Sequence, residues 1–200
     1  MKYLIWSPGR SGSILVSMII KSVMEDQNFL VFYNQEYEKI MDETFNIVHC
    51  HNYKCFIDNI SKYTSIVVTR NIFESAISAL ISKETNMWTI RGEYELEQYK
   101  KDIENKTFEI DVSNFCKIAK HFDFQYTKVL SNAEKIDLVI NYEKFKDNFS
   151  VLTDALKLSP VSLEFKKSSP KKTPIDKMKQ VSNYFELQDA YSLLSIKNNF

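Results

Sequence analysis

The chain is 200 residues long, and its 26 lysines and arginines balance 26 aspartates and glutamates at a formal net charge of zero. That balance gives no overall field to draw the protein to nucleic acid or to an anionic membrane, so any anion site has to be local. With 44% of residues hydrophobic and 14% aromatic, one domain over residues 1–200 has material for a real core. The three cysteines, Cys50, Cys55 and Cys116, form no Cys-x-x-Cys pair. An odd number suits buried, reduced thiols and a cytoplasmic location. The opening MKYLIW meets a turn by Pro8 and is too short for a secretory segment or a membrane span.

In chain order, Tyr3 to Trp6 is a short apolar run that predicts a buried strand, and apolar residues at helical spacing predict a helix from Ser11 to Met24. Phe29 to Tyr33 and Asn46 to His51 read as further strands, followed by an amphipathic helix over Tyr53 to Lys62. SIVVT, Ser65 to Thr69, is the clearest strand: β-branched and without alternation, as expected where both faces are covered. A helix over Ile72 to Lys83 follows. Residues 84–107, with Trp88, Arg91 and Tyr94, read as a loop-rich insert carrying a short helix near Tyr94 to Ile103, a candidate lid or acceptor region. Then come a long helix from Asp111 to Ser131, a strand from Asp137 to Tyr142 and a helix from Phe145 to Leu158. A lysine-rich loop over Phe165 to Lys179 precedes a last helix around Tyr184 to Leu194. Strands alternating with helices imply a parallel sheet covered on both faces.

Only three glycines and four prolines occur in the chain, yet Pro8, Gly9 and Gly12 fall within five positions, in SPGRSGSIL. A strand, a glycine-containing loop with hydroxyls and then a helix is an arrangement in which backbone N–H groups and a positive helix end surround an anion. A Walker A loop needs a longer spacing and a lysine after its second glycine, and both are missing here. Arg70 ends the SIVVT strand and Ser78 follows eight positions later.

These two segments resemble the sulfotransferases that use 3′-phosphoadenosine 5′-phosphosulfate (PAPS). Pro8, Arg10, Ser11, Gly12 and Ser13 match that family's Pro-Lys/Arg-Ser-Gly-Ser/Thr loop, with Gly9 as one extra residue. Arg70 and Ser78 match its arginine and serine at eight-residue spacing. Ile72 stands where the segment after the arginine usually has proline. Ile140-Asn141-Tyr142-Glu143 is similar to the family's Tyr-Glu segment after a late strand. The similarity runs in order over roughly residues 2–158.

The resemblance implies an α/β fold with a P-loop-like central parallel β-sheet flanked by helices, PAPS as co-substrate and adenosine 3′,5′-bisphosphate as product. It implies no metal, and an acceptor hydroxyl on a carbohydrate, a lipid or a small molecule. Arg10 falls at the family's catalytic basic position. Ser11, Gly12, Ser13 and Ile14 fall on the loop that binds the 5′-phosphosulfate, with Ile14 lacking the hydroxyl that other members carry. Arg70 and Ser78 fall on the 3′-phosphate site. Many members carry a histidine at the end of the strand corresponding to IVHCHN as general base. His49 and His51 share a strand face there, and His51 is nearer the strand end. A metal site from His49, Cys50 and His51 is disfavoured, because Cys50 points to the opposite face. The family's Arg-Lys-Gly motif is absent, and Lys166, Lys167, Lys171 and Lys172 stand in that region. Two other readings are a nucleotide-binding module without turnover and a nucleotide kinase or NTPase.

Overall fold

The computed structural model describes residues 2–24, 29–32, 45–86, 97, 101, 103, 105–162, 177–198 and 200. Trp88, Arg91, Tyr94 and the lysines at 166–172 lie outside the described residues. Strands β1 (Tyr3–Trp6), β2 (Phe29–Phe32), β3 (Ile47–Cys50), β4 (Thr64–Thr69) and β5 (Leu138–Asn141) form one sheet in the order β2-β3-β1-β4-β5. Every pairing is parallel.

Helix α1 (Ser13–Met24) follows β1, α2 (Tyr53–Asn59) follows β3 and α3 (Ile72–Glu84) follows β4. The later helices are α4 (Val112–Leu130), α5 (Tyr142–Phe145), α6 (Ser150–Ala155), α7 (Lys177–Gln180) and α8 (Tyr184–Ser192). Because successive strand residues face opposite ways, β1 feeds two cores. Tyr3 and Ile5 join Val16, Ile19, Ile20, Ile66 and Val68 under α1, and Phe145 and Leu152 close the same side. Leu4 and Trp6 join Val48, Phe56, Val67, Ile77, Phe115 and Tyr126 under α2, α3 and α4. Burial on both sides explains why SIVVT shows no alternation of polarity.

Three helices that start at the carboxyl edge of the sheet are capped by an asparagine at or just after the strand end. Asn52 accepts from the N–H groups of Lys54 and Cys55 at 3.0 and 3.3 Å. Asn71 accepts from Glu74 at 3.1 Å, and Asn141 from Glu143 at 2.9 Å. The Asn71 cap starts α3, and Ile72 at the first helical position is fully buried.

Two predicted elements differ. The loop expected over Phe165 to Lys179 ends in α7, Lys177–Gln180. The helix expected over Phe145 to Leu158 is two short helices, α5 and α6, because the Asn141 cap starts helix already at Tyr142. Asn148 then interrupts it by accepting from the N–H and hydroxyl of Ser150, at 3.3 and 2.8 Å, a local bond that competes with helix continuation. No helix among the described residues is long and apolar enough to cross a membrane.

Candidate active site at the carboxyl edge of the sheet

The loop between β1 and α1 turns tightly because Gly9, Arg10 and Gly12 all adopt positive φ, at 97°, 53° and 80°. For arginine that conformation costs of order 1–2 kcal/mol, so its surroundings have to hold it. They do: the Arg70 guanidinium donates through Nη1 to the Arg10 carbonyl at 2.7 Å. Gly9 has open space where a Cβ would stand, whereas a Cβ on Gly12 would overlap the Tyr142 ring. The first-turn N–H groups of Ser13, Ile14 and Leu15 have no backbone partner among the described residues and form the positive end of α1.

The loop hydroxyls are engaged within the protein. Ser7 Oγ donates to Ser13 Oγ at 2.8 Å, and the Gly9 N–H reaches Ser7 Oγ at 3.4 Å. Ser11 is buried, with its Oγ 3.0 Å from the Gly9 carbonyl and 3.1 Å from the Tyr126 hydroxyl. Tyr126, on α4, also donates to the Val68 carbonyl at 3.2 Å. Burial pushes the Tyr126 phenol far above its usual range, against the opposing effects of Ser11 and Arg70, so it stays a hydrogen-bonding hydroxyl.

Two arginines meet here. Arg10 sends Nε and an Nη to Ser78 Oγ, both at 3.2 Å. Arg70 lies over the Tyr142 ring at 4.8 Å and has its Nε 3.4 Å from Glu143, whose second oxygen pairs with Lys146 at 3.0 Å. With Nε turned to Glu143 and one Nη1 hydrogen on Arg10, the Nη edge of Arg70 keeps hydrogens for an anion approaching end-on. A concentration of positive charge thus forms in a chain of zero net charge.

His51 lies one residue past β3. Its Nδ1 is 2.8 Å from the Ser7 carbonyl; a carbonyl only accepts, so Nδ1 carries the hydrogen and the neutral ring keeps its lone pair on Nε2. Burial lowers the His51 pKa below 6.5, partly offset by that carbonyl. His49 is fully buried, with its ring centroid 4.6 Å from that of His51 at 76°. Cys50 faces the other core, beside Cys55.

The structure therefore gathers Arg10, Ser11, Gly12, Ser13, Ile14, Arg70 and Ser78 around one edge, with His51 attached through Ser7. Sequence reasoning missed Tyr126, because a tyrosine at an apolar helical position reads as core. It also gave no role to Tyr142 and Glu143, although their segment had been noticed; their place directly after a strand end was the available signal.

No family model matches the chain, and no curated protein matches it. Among solved structures the fold is similar to that of a sulfotransferase from Alicyclobacillus acidocaldarius, with a TM-score of 0.50 at 10% identity, over 95% of this chain and 90% of that one. The likeness is one of fold: an α/β architecture with a central parallel sheet flanked by helices.

Proposed function

We propose that this chain is a sulfotransferase that moves the sulfuryl group of PAPS to a hydroxyl on a carbohydrate, a lipid or a small molecule. The observation that carries the reading is the convergence of Arg10, Arg70 and Ser78 beside the open N-terminus of α1. PAPS has two separate anionic ends and needs two anion subsites on one edge. On this reading the 5′-phosphosulfate takes the loop N–H groups of Ser11 to Ile14, and the 3′-phosphate takes Arg70 and Ser78. Arg10, which reaches from the loop to Ser78, touches both. The fold shared with the Alicyclobacillus acidocaldarius sulfotransferase is consistent with it.

In the reaction the acceptor oxygen attacks sulfur in line. A bond from that oxygen to sulfur forms while the bond from sulfur to the 5′-phosphate oxygen breaks, leaving adenosine 3′,5′-bisphosphate. Arg10, protonated at all relevant pH, stabilises the charge that grows on the departing oxygen. The acceptor's proton goes to Nε2 of His51, which is neutral at pH 7 because burial holds its pKa down. Positioning and charge stabilisation supply most of the rate, as in phosphoryl transfer.

The test is calorimetric titration with adenosine 3′,5′-bisphosphate and, separately, with ATP and Mg²⁺. Micromolar binding of the bisphosphate with much weaker ATP supports the donor site, and no binding of the bisphosphate refutes it. Preference for ATP with Mg²⁺ points instead to a nucleotide kinase or NTPase. In His51→Ala the bisphosphate still binds while transfer is lost; a chain that binds but never transfers, with His51 intact, is a nucleotide-binding module.

A further inference from the structure

His49 occupies the third position of β3, in register with Ile5 of β1 and Val31 of β2. It is fully buried, and neither ring nitrogen has a hydrogen-bond partner among the described residues. A neutral imidazole carries one N–H and one lone pair, and leaving both unsatisfied in an interior costs stability that valine or isoleucine in the same slot would not. Ile47, on the same face of the strand, is such an aliphatic residue. The polar ring at position 49 therefore calls for a function, and it meets the ring of His51, edge to face, at a centroid distance of 4.6 Å.

We propose that His49 is a positioning residue for His51, bracing the base's ring and stabilising the imidazolium that His51 becomes when it takes the acceptor's proton. The inference rests on reading His51 as that base. The Ser7 carbonyl holds His51 at Nδ1, and His49 meets the ring at close to a right angle, so both contacts bear on the direction of Nε2. When the proton arrives, the charge develops in a mostly buried ring. The Ser7 carbonyl dipole favours it, and the neutral, polar ring of His49 disfavours it less than an aliphatic side chain at 49 would. His49 remains neutral throughout: burial holds its pKa well below 6.5 and a charged His51 lowers it further.

Among the described residues, the other ionisable groups on α1, α2, β1 and β3 lie away from this pair. Cys50 and Cys55 face the opposite core. Lys54 and Asp58 are exposed on α2. Lys21 is in the last turn of α1, and Tyr3 is at the far end of β1. The buried residues that α1 presents are Ser13, Val16, Ser17, Ile19 and Ile20.

The experiment is an NMR titration of the histidine rings in the full chain, without donor or acceptor. In His49→Leu the His51 pKa falls by about half a unit to one unit, from the loss of a polar neighbour to the imidazolium. The Nδ1–H tautomer of neutral His51 also gives way to a mixture. His49→Gln, which returns a polar side chain, recovers at least half of the shift. The acid limb of kcat/KM moves in step. A His51 pKa that stays put or rises in His49→Leu overturns the proposal; if leucine is not accommodated, His49→Val reads the same titration from a residue at home in a parallel strand. The titration needs no nucleotide, so absent bisphosphate binding would refute the proposed activity and leave this result standing. An unmoved His51 would leave the donor site standing.

Discussion

Tyr126→Phe tests whether α4 holds the loop between β1 and α1 in shape. The phenylalanine keeps the edge-to-face contact with Trp6 at 5.5 Å and the contact with Phe200 at 4.7 Å, so only the hydroxyl is removed. That hydroxyl has a single proton, which goes to the Val68 carbonyl at 3.2 Å, and so the Ser11 hydrogen is shared between the Gly9 carbonyl and the Tyr126 oxygen. In the variant Ser11 keeps Gly9, whereas the buried Val68 carbonyl loses the tyrosine. A net hydrogen bond is worth about 1 kcal/mol and a buried group left unsatisfied costs about 1–3 kcal/mol, so the expected loss of stability is about 1–2 kcal/mol. At roughly 2–4 °C per kcal/mol for a chain of this size, Tm falls by several degrees. Because Val68 lies two residues before Arg70, the same hydroxyl joins both proposed anion subsites, and bisphosphate affinity falls several-fold. The assay is a double-mutant cycle with Ser11→Ala, read by urea denaturation and by titration. If the two residues act through one bond, the double variant loses less than the sum of the singles, by about 0.5–1.5 kcal/mol. Additivity within about 0.3 kcal/mol refutes the linkage.

Arg70→Ala is expected to weaken adenosine 3′,5′-bisphosphate by about ten- to a hundredfold, the worth of a hydrogen bond to a charged group, and adenosine 5′-monophosphate far less. Equal weakening of the two ligands in calorimetry removes Arg70 from the 3′-phosphate. Gly12→Ala combines a positive φ with an overlap on the Tyr142 ring, whereas Gly9→Ala meets only the φ. Thermal melts should therefore show Gly12→Ala as much the more destabilised, and similar melts for the two would sink the argument. Folded-state pKa values below 6.5 for His49 and His51 mean that the unfolded chain binds more protons as the pH drops below 6.5. Stability is then full above pH 6.5 and declines below it, by up to about 1.4 kcal/mol per pH unit for each histidine. His49→Leu should flatten that decline in urea denaturation at pH 5 to 7, and an unchanged slope would mean that His49 is protonated in the folded protein.

The alternation of strands and helices was legible because parallel strands buried on both faces have to be apolar runs, as Tyr3–Trp6 and Thr64–Thr69 are. Asn148 hid the break between α5 and α6, since one side-chain bond to Ser150 decides it and apolar periodicity carries no trace of such a bond. The eight-residue spacing of Arg70 and Ser78 was legible, but the partner that Ser78 takes, Arg10, was not, because that bond joins residues 68 apart. The loop serines make the sharpest contrast. In one dimension a hydroxyl beside two glycines reads as a phosphate ligand; in three, Ser7 and Ser13 bond to each other and Ser11 bonds to Gly9 and Tyr126. Those bonds hold an arginine and two glycines at positive φ. On the proposed reading the first-turn N–H groups of α1 and the two arginines, rather than these hydroxyls, meet the anion. The serines thus shape the loop, and binding is proposed for the backbone and the arginines. A loop with other small residues would preserve the chemistry as long as the backbone kept its turn.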